Sequence, residues 1–330
     1  MAPAPPIDRT IRPEDRKGRW RLGRTARRFA PLVVLIGLLS ALATIEPSFL
    51  SHYALNVLAD ESSLILILAA AQTVVILMGG IDLSMAAIAS LASVLIALSL
   101  PAIGQIGIAG VLVFTTSIGA VQGYIHIRAQ IPSFIVTLAG LGVWSGLALT
   151  IAHTTIPVGA GYSGINWFAR STMGVPNSFN AALAAFILLA VALHLLPFGR
   201  HVYAIGMAER VTLLSGVRVG RTKVLGFALT GLFSGLAGLV MVARTSSGSP
   251  TIADSLLLPS IAAVVIGGTA ITGGTGGLGR TLIGALTITV LRVGFATIGF
   301  NPAYEPIAYG VAVVAAVALT TDRSKAQIVK

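Results

Sequence analysis

Very few residues in this chain have side chains that could carry out acid–base, nucleophilic or metal chemistry. Of its 330 residues only 11 are Asp or Glu, five are His and none is Cys. Without cysteine there are no disulfides, thiolate metal sites or thiol catalysis. The histidines are scattered, with neither metal-ligand spacing nor a nucleophile–base pair. An enzyme is therefore the least favoured class, and we expect no catalytic residue, metal or cofactor on this chain.

Two charged residues lie in apolar surroundings. Asp82 follows Gly79-Gly80 between two apolar segments, where it could cap the next helix or act as a hinge or pathway residue. Arg292 lies within an apolar segment, and an intramembrane charge is a functional candidate by default. Its side chain could reach the membrane interface or bind hydroxyl groups on a pathway. Further pathway candidates, each better explained alone by helix packing, are Gln72, Ser133, Phe134, Thr137 and Trp144.

The composition indicates that these residues lie in a membrane protein. Hydrophobic residues make up 55% of the chain and charged residues 10%, and the mean hydropathy is +0.91. Soluble domains carry about 25% charged residues, so this chain needs lipid as its solvent. The 37 glycines would let helices approach closely, and the alternating segments of a β-barrel are not found. We predict an all-α, polytopic helical bundle.

Ten apolar segments approach the length of about 20 residues that spans a bilayer. The second and eighth are short and end in Gly-Gly. We predict a basic, disordered tail (1–29), a membrane domain (30–320) and a C-terminal tail (321–330); a signal peptide is the rival interpretation of the N-terminus. The predicted spans are 30–46, 63–79, 84–100, 105–123, 133–152, 181–197, 223–243, 256–272, 279–298 and 304–320.

The positive charges are sorted by side, as the positive-inside rule requires. With both termini in the cytoplasm, all but three of the 22 Lys and Arg residues are internal, the exceptions being Arg170, Arg244 and Arg292. The basic residues that give the net charge of +11 therefore set the topology. They could contact anionic lipid, and binding to nucleic acid is not indicated. The longest external loop is 153–180, and the longest internal loop is 198–222.

The internal loop 198–222 has features of a docking segment. Its residues favour a short helix between Ala204 and Leu214, and Gly216 can end that helix. Leu213 and Leu214 would face water unless a partner protein covered them. The alternative is a basic loop that merely fixes topology.

Four ordered motifs resemble the ribose-type permease family of ABC importers over about residues 45–320. They are the run Gln72–Ser84, with a Gly-Ile-Asp-Leu-Ser signature at 80–84, then Ile131–Leu138, the loop 198–222, and Ile261–Thr269 with the glycine run that follows to Gly279. Some positions depart from the family pattern. Met207-Ala208 stand where the family has Gly-Asn, residues 257–260 replace its Glu-Leu-Asp, and Arg292-Val293 replace asparagines.

The resemblance implies a type II-like importer bundle in a bacterial inner membrane. It would move a monosaccharide or similar small polyol, delivered by a periplasmic binding protein, through a permease dimer of identical or related copies. ATP and Mg would be bound by a cytoplasmic ABC ATPase partner. Its docking residues would be Ala204, Gly206, Glu209, Arg210, Leu213, Leu214, Ser215 and Gly216. An ion-coupled secondary transporter is the alternative, although only Asp82, Glu61 and Glu305 could supply its titratable groups.

The glycine doublets are expected to break helices at Gly79, Gly80, Gly267, Gly268, Gly273 and Gly274. The later run lacks the Gly-Lys-Ser/Thr ending of a phosphate loop, so a nucleotide site is not expected there. Residues 76–80 resemble residues 264–268, through either an internal repeat or chance.

Overall fold

A computed structural model describes residues 13–159 and 163–320, which are almost entirely helical. The all-α prediction is therefore confirmed. The twelve helices of these residues are α1 Pro13–Ile45, α2 His52–Leu77, α3 Met85–Ile103, α4 Gln105–Arg128, α5 Ser133–Ile151, α6 Ser163–Asn166, α7 Asn177–Leu195, α8 Pro197–Leu214, α9 Val219–Thr245, α10 Leu257–Ile266, α11 Leu278–Thr297 and α12 Glu305–Thr320.

Every predicted span contains a helix, but not every helix is long enough to cross a bilayer. Among the described helices, seven have the required length and apolar character: α2, α3, α4, α5, α7, α9 and α11. The other three spans correspond to shorter apolar helices at Phe29–Ile45, Asp254–Ile266 and Glu305–Val314. The chain is thus a multi-pass membrane protein, in which short helices complete the bundle.

The structure corrects the bounds of two predicted spans. The second span is not short, because the Ser51 hydroxyl caps α2 by accepting from the Ala54 amide at 3.2 Å. The eighth span reaches only Ile266, because a glycine cap ends α10. Within the predicted tail 1–29, the described part, from Pro13 onward, belongs to α1, and proline is well tolerated at such a first helical position. Residues 1–12 and 321–330 lie outside the described residues.

Helix α2 forms the centre of the bundle. Its residues 62–77 are all buried, and it packs against α7, α9, α10 and α11. Because α2 is buried on all sides, its apolar residues surround the helix and form no amphipathic pattern. By contrast, only five residues of α5 and six of α7 are buried, so the outer faces of these helices face lipid or another chain.

Helices α4 and α9 form the closest helix pair, and glycine makes the contact possible. A Cβ atom on Gly119 would overlap the carbonyl oxygen of Phe227, and one on Gly231 would overlap that of Thr115. Small residues let backbones approach in this way inside membranes. The two helices therefore behave as one packed unit.

Two short antiparallel pairs of strands order the predicted external loop 153–180. Strand β1 (Ile156–Pro157) pairs with β4 (Ser247–Gly248), and β2 (Ser171–Thr172) pairs with β3 (Val175–Pro176). The first pair attaches this loop to the end of α9. Both pairs lie at the end of the bundle opposite α8, since α9 begins next to α8 and its 27 residues extend about 40 Å.

Candidate functional site

The break between α2 and α3 starts with a glycine cap. Helix α2 ends at Leu77, and Gly79 has a φ of +77°. The Gly79 amide donates to the Ile76 carbonyl at 2.9 Å and the Gly80 amide to the Val75 carbonyl at 3.0 Å. This is the Schellman arrangement, which favours glycine at the left-handed position. The predicted helix break is therefore observed at Gly79.

Three of the predicted pathway residues hold the backbone of this break. Ser133 Oγ accepts from the Ile81 amide at 3.1 Å, and Thr137 Oγ1 donates to the Ile81 carbonyl at 3.2 Å. With its amide oriented to satisfy both atoms, Gln72 pairs with the backbone N–H and C=O of Asp82, each at 3.3 Å. Irregular backbone at membrane depth requires such internal partners. The three side chains thus have a structural role, and lining a pathway stays a prediction.

Asp82 is completely buried and joins three elements. Its Oδ1 accepts from the Ser84 amide at 2.8 Å and lies 2.7 Å from Ser84 Oγ, while Oδ2 accepts from Thr230 Oγ1 at 2.6 Å. Ser84 Oγ also lies 2.9 Å from Gln122 Oε1. Ser84, and not Asp82, occupies the N-cap position of α3, and no side chain of the described residues bonds to the first amides of this helix. Asp82 instead closes the turn before α3 through the Ser84 amide and links this turn to α9.

The two aromatic pathway candidates, Phe134 and Trp144, lie at the edges of the polar contacts around Asp82. Phe134 is half exposed and lines a cavity of about 250 Å³ that also contains Gly80, Glu209 and Lys223. Trp144 is partly buried, and its Nε1 finds no hydrogen-bond partner within the described residues. The cavity places Phe134 between the helix break and the 198–222 loop, whereas Trp144 lies further along α5.

The predicted docking segment is a bent helix that begins earlier than expected. Instead of a single helix from Ala204 to Leu214, α8 starts at Pro197 and kinks at Ala208, where φ is −162° and ψ is 87°. Thr212 Oγ1 bridges the kink by lying 2.8 Å from the carbonyl of Ala204 and 2.9 Å from that of Ala208. The helix ends at Leu214, and Gly216, as predicted, adopts a φ of +84°.

The outer half of α8 presents an exposed surface with apolar side chains. Residues 207–216 are all exposed except Thr212. The apolar part consists of Met207 (69% exposed), Val211 (62%), Leu213 (58%) and Leu214 (82%). Glu209 is held by Lys223 of α9 through an ion pair of 2.7 Å, while Arg210 and Ser215 extend the exposed surface. We call residues 207–216 the docking surface.

Three backbone segments meet beneath the docking surface, at a contact we call the glycine junction (Gly79, Gly206, Gly273 and Gly274). The Gly274 amide donates to the Leu77 carbonyl at 2.9 Å. A Cβ atom on Gly206 would overlap both groups, and one on Gly273 would lie 2.8 Å from the Gly79 nitrogen. Helix α8 therefore touches the end of α2 and the glycine run together. The sequence showed the glycines but gave no signal of this contact.

The second helix break uses the same cap as the first. The Gly268 amide donates to the Val265 carbonyl at 2.9 Å and the Thr269 amide to the Val264 carbonyl at 3.2 Å. Gly268, with a φ of +92°, is the left-handed residue, and Gly267 has a helical φ of −60°. The left-handed positions are thus the first glycine of one doublet and the second of the other. The sequence similarity of 76–80 to 264–268 pairs Gly79 with Gly267, whereas the left-handed residue of the second break is Gly268, one position later.

Tyr203 connects α8 to the glycine run. Its hydroxyl donates to the Gly276 carbonyl at 3.3 Å. Burial raises the pKa of the Tyr203 phenol, so the hydroxyl keeps its proton and remains a donor. Tyr203 and Gly206 therefore both attach the inner half of α8 to the glycine run.

Arg292 is part of a distal charge cluster, which we define as Asp60, Glu61, Arg244, Arg292 and Glu305. Arg292 lies 3.5 Å from Glu61 and 3.7 Å from Glu305, and Arg244 lies 2.6 Å from Glu61 and 2.9 Å from Asp60. These ion pairs join α2, α9, α11 and α12 at the end opposite the docking surface. Neither expectation for Arg292 included this pairing, because its partners are remote in sequence.

Replacing Glu61 with Gln should destabilise the distal charge cluster. Glu61 contacts both arginines, so the neutral Gln should lower the free energy of unfolding by about 1 kcal/mol. Thermal unfolding of the purified protein in detergent measures this change. Glu46→Gln is the matched control, because Glu46 bonds only to Ser48 among the described residues. Equal losses for the two variants would contradict a stabilising role for the cluster.

The fold and these contacts define a class of protein: a polytopic, helical membrane protein with broken helices and a bent helix whose outer half exposes apolar side chains. The sequence profile of the family described as "Branched-chain amino acid transport system / permease component" matches residues 53–317. The chain belongs to this family of transport permease components.

Several curated relatives match nearly end to end. The ribose import permease protein RbsC of Bacillus subtilis is 36% identical over 309 residues, which cover 91% of this chain and 94% of the relative. RbsC of Escherichia coli K12 is 33% identical, covering 87% and 91%. The fructose import permease protein FrcC of Rhizobium meliloti is 33% identical, covering 88% and 84%. No solved structure matches.

Proposed function

We propose that this chain is the membrane-spanning permease subunit of an ATP-driven importer of a monosaccharide or similar small polyol. The end-to-end match to ribose and fructose import permeases carries the proposal. The family description mentions branched-chain amino acids, but those relatives import sugars. Sugar hydroxyls also suit a pathway with few charges.

The docking surface is the proposed contact for a cytoplasmic ATPase. Water would be the neighbour of Leu213 and Leu214 in an isolated chain, and burying one such side chain against a partner contributes about 1.5–3 kcal/mol. The ATPase would bind ATP and Mg, which the permease does not need to hold. Placing this face in the cytoplasm also places both termini there, in agreement with the sorting of Lys and Arg.

The glycine junction suggests how the motion of the ATPase reaches the membrane domain. ATP binding can shift the permease only if the two states differ in contact free energy. Gly206 lies against both Leu77 and Gly274, so movement of α8 changes contacts at both helix breaks together. The cavity beside Gly80 and Phe134 is positioned to change with them. This is a mechanical role, without covalent chemistry on the chain.

The opposite end of the bundle would receive the sugar. The paired strands of 153–180 and the end of α9 form its ordered surface, the proposed docking site of a periplasmic binding protein. The exposed faces of α5 and α7 are available to lipid and to a second permease copy, identical or related. The assembly is placed in the bacterial inner membrane.

The alternative of an ion-coupled secondary transporter has weaker support. The three carboxylates that could couple to ions are engaged: Asp82 with Ser84 and Thr230, Glu61 with two arginines, and Glu305 with Arg292 and the Tyr309 hydroxyl. Such a transporter needs a group that titrates or binds cations during transport. No specific observation assigns that role here.

Ligand-stimulated ATP hydrolysis tests the proposed function. The permease, its ATPase and its candidate binding protein would be reconstituted in lipid and assayed with ribose, xylose, galactose, fructose and leucine. Stimulation by one sugar, with none by leucine, is expected. Absence of stimulation by every sugar, or uptake by the permease alone on an ion gradient, would overturn the proposal.

Leu214→Asp should weaken binding of the ATPase. The side chain is 82% exposed, so the variant should fold, while a charge in an apolar contact should reduce affinity at least about tenfold. Co-purification of the tagged permease with its ATPase provides the measurement. Met173→Asp is the control, because Met173 is 99% exposed at the other end of the bundle. Retention of the ATPase by Leu214→Asp would place the docking contact elsewhere.

A further inference from the structure

A groove lies between α4 and α9 at the end of the bundle that carries α8. It forms where α4 ends and α9 begins and has a volume of about 720 Å³. Its walls combine two kinds of chemistry. Arg128 and Arg221 are its charged residues, and Tyr124, Ile127, Val224 and Leu225 supply most of its apolar surface.

The two arginines differ from the basic residues that form ion pairs within the bundle. Lys223, Arg244 and Arg292 all form ion pairs. Among the residues that the structure describes, neither Arg128 nor Arg221 forms an ion pair or a side-chain hydrogen bond, and no acidic residue lines the groove. The groove therefore has an uncompensated positive charge, which is complementary to an anion.

The apolar walls specify what kind of anion would fit. Tyr124 is 59% exposed and Leu225 is 55% exposed, and both lie within two turns of the ends of helices long enough to span the bilayer. In a bilayer the arginines would then lie at the level of the headgroups, with Tyr124 and Leu225 on the hydrocarbon side. A soluble anion would leave the apolar walls uncovered, whereas a phospholipid would cover both parts.

We infer that the α4–α9 groove binds an anionic phospholipid, with the phosphodiester between Arg128 and Arg221 and an acyl chain against Tyr124 and Leu225. Basic pockets between membrane-spanning helices on the cytoplasmic side have the chemistry that such headgroups require. The inference depends on insertion in the membrane and not on the identity of the transported solute.

A neighbouring cavity connects this site to the docking surface. The second cavity, of about 460 Å³, shares Arg221 and Leu225 with the groove and is also lined by Ser215 and Gly216. Lipid bound in the groove would therefore lie next to the end of the docking surface. Its occupancy can influence how tightly this end of α8 is held.

Native mass spectrometry of the purified full-length chain tests the site directly. The protein would be incubated with phosphatidylglycerol or phosphatidylcholine of the same acyl chains, and the retained lipid would be counted. The wild type should retain at least about threefold more phosphatidylglycerol, and Arg128→Gln/Arg221→Gln should reduce it to the phosphatidylcholine level, since the two arginines supply the attraction for the anionic headgroup. Arg170→Gln/Arg200→Gln loses the same charge outside the groove and should retain the preference.

Competition separates lipid from other occupants. Millimolar inorganic phosphate should leave phosphatidylglycerol bound, because it lacks acyl chains. Displacement by phosphate would show a simple anion site and overturn the lipid assignment. Equal retention of phosphatidylglycerol by the groove variant and the wild type, or formation of a protein dimer that excludes lipid from the groove, would also overturn it.

Discussion

Gly206→Val is expected to abolish sugar uptake while leaving the ATPase bound. A Cβ atom at this position would overlap the Leu77 carbonyl and the Gly274 amide. Neither neighbour is a flexible side chain, so α8 would have to move away from both helix breaks. The docking surface, which begins at Met207, remains intact. Uptake into vesicles and sugar-stimulated ATP hydrolysis by the reconstituted assembly would be measured together, and stimulation should disappear along with transport.

The specificity of this effect can be tested with glycine elsewhere. Gly110 lies on the exposed surface of α4, and a Cβ atom there meets nothing within 4 Å. Gly110→Val should therefore transport like the wild type. Gly206→Ala provides a smaller change at the junction and should be intermediate, since overpacking typically costs about 1–3 kcal/mol. Normal stimulation in Gly206→Val would exclude the glycine junction from coupling.

Asp82→Ala is expected to cause the largest loss of stability. The carboxylate bonds to the Ser84 amide, the Ser84 hydroxyl and the Thr230 hydroxyl inside a buried break. Each bond contributes about 1 kcal/mol, and an orphaned buried donor costs more, so a loss of about 3 kcal/mol is expected. Thermal unfolding of the purified protein in detergent, with uptake as a second measurement, would detect it.

Two further variants separate hydrogen bonding from other effects at this position. Asp82→Asn keeps one acceptor for Ser84 and offers Thr230 a donor instead, so its loss should be about 1 kcal/mol. Asp254→Ala is the control, because the Asp254 side chain is exposed and bonds only to Ser90 among the described residues, at 3.5 Å. A stable Asp82→Ala variant that fails to transport would instead favour the hinge or pathway role.

The features that sequence predicted well depend on local physics. Apolar segments must be helical in lipid, so each predicted span contains a helix. Gly79 and Gly216 were expected to end helices and do so with left-handed φ values. Each of these inferences required only residues that are close together in the chain.

The remaining features depend on partners that are distant in sequence. A polar residue in an apolar helix, such as Thr137, has the same local pattern whether it faces a pathway or binds a broken backbone. Arg292 gave no indication of its partner Glu61, which lies in another helix. The kink at Ala208 and the contact of Gly206 with Gly274 arise from packing between segments. Periodicity and composition carry no information about such contacts.

The glycine contacts between α4 and α9 make this pair of helices one rigid unit. Lys223, one turn into α9, grips Glu209 of α8, and the far end of α9 carries Arg244 and the strand that orders the opposite surface. A displacement of α8 would thus be transmitted along α9 to its far end, about 40 Å away. Sugar binding at one end of the bundle and ATP hydrolysis at the other could then be coupled through this pair of helices.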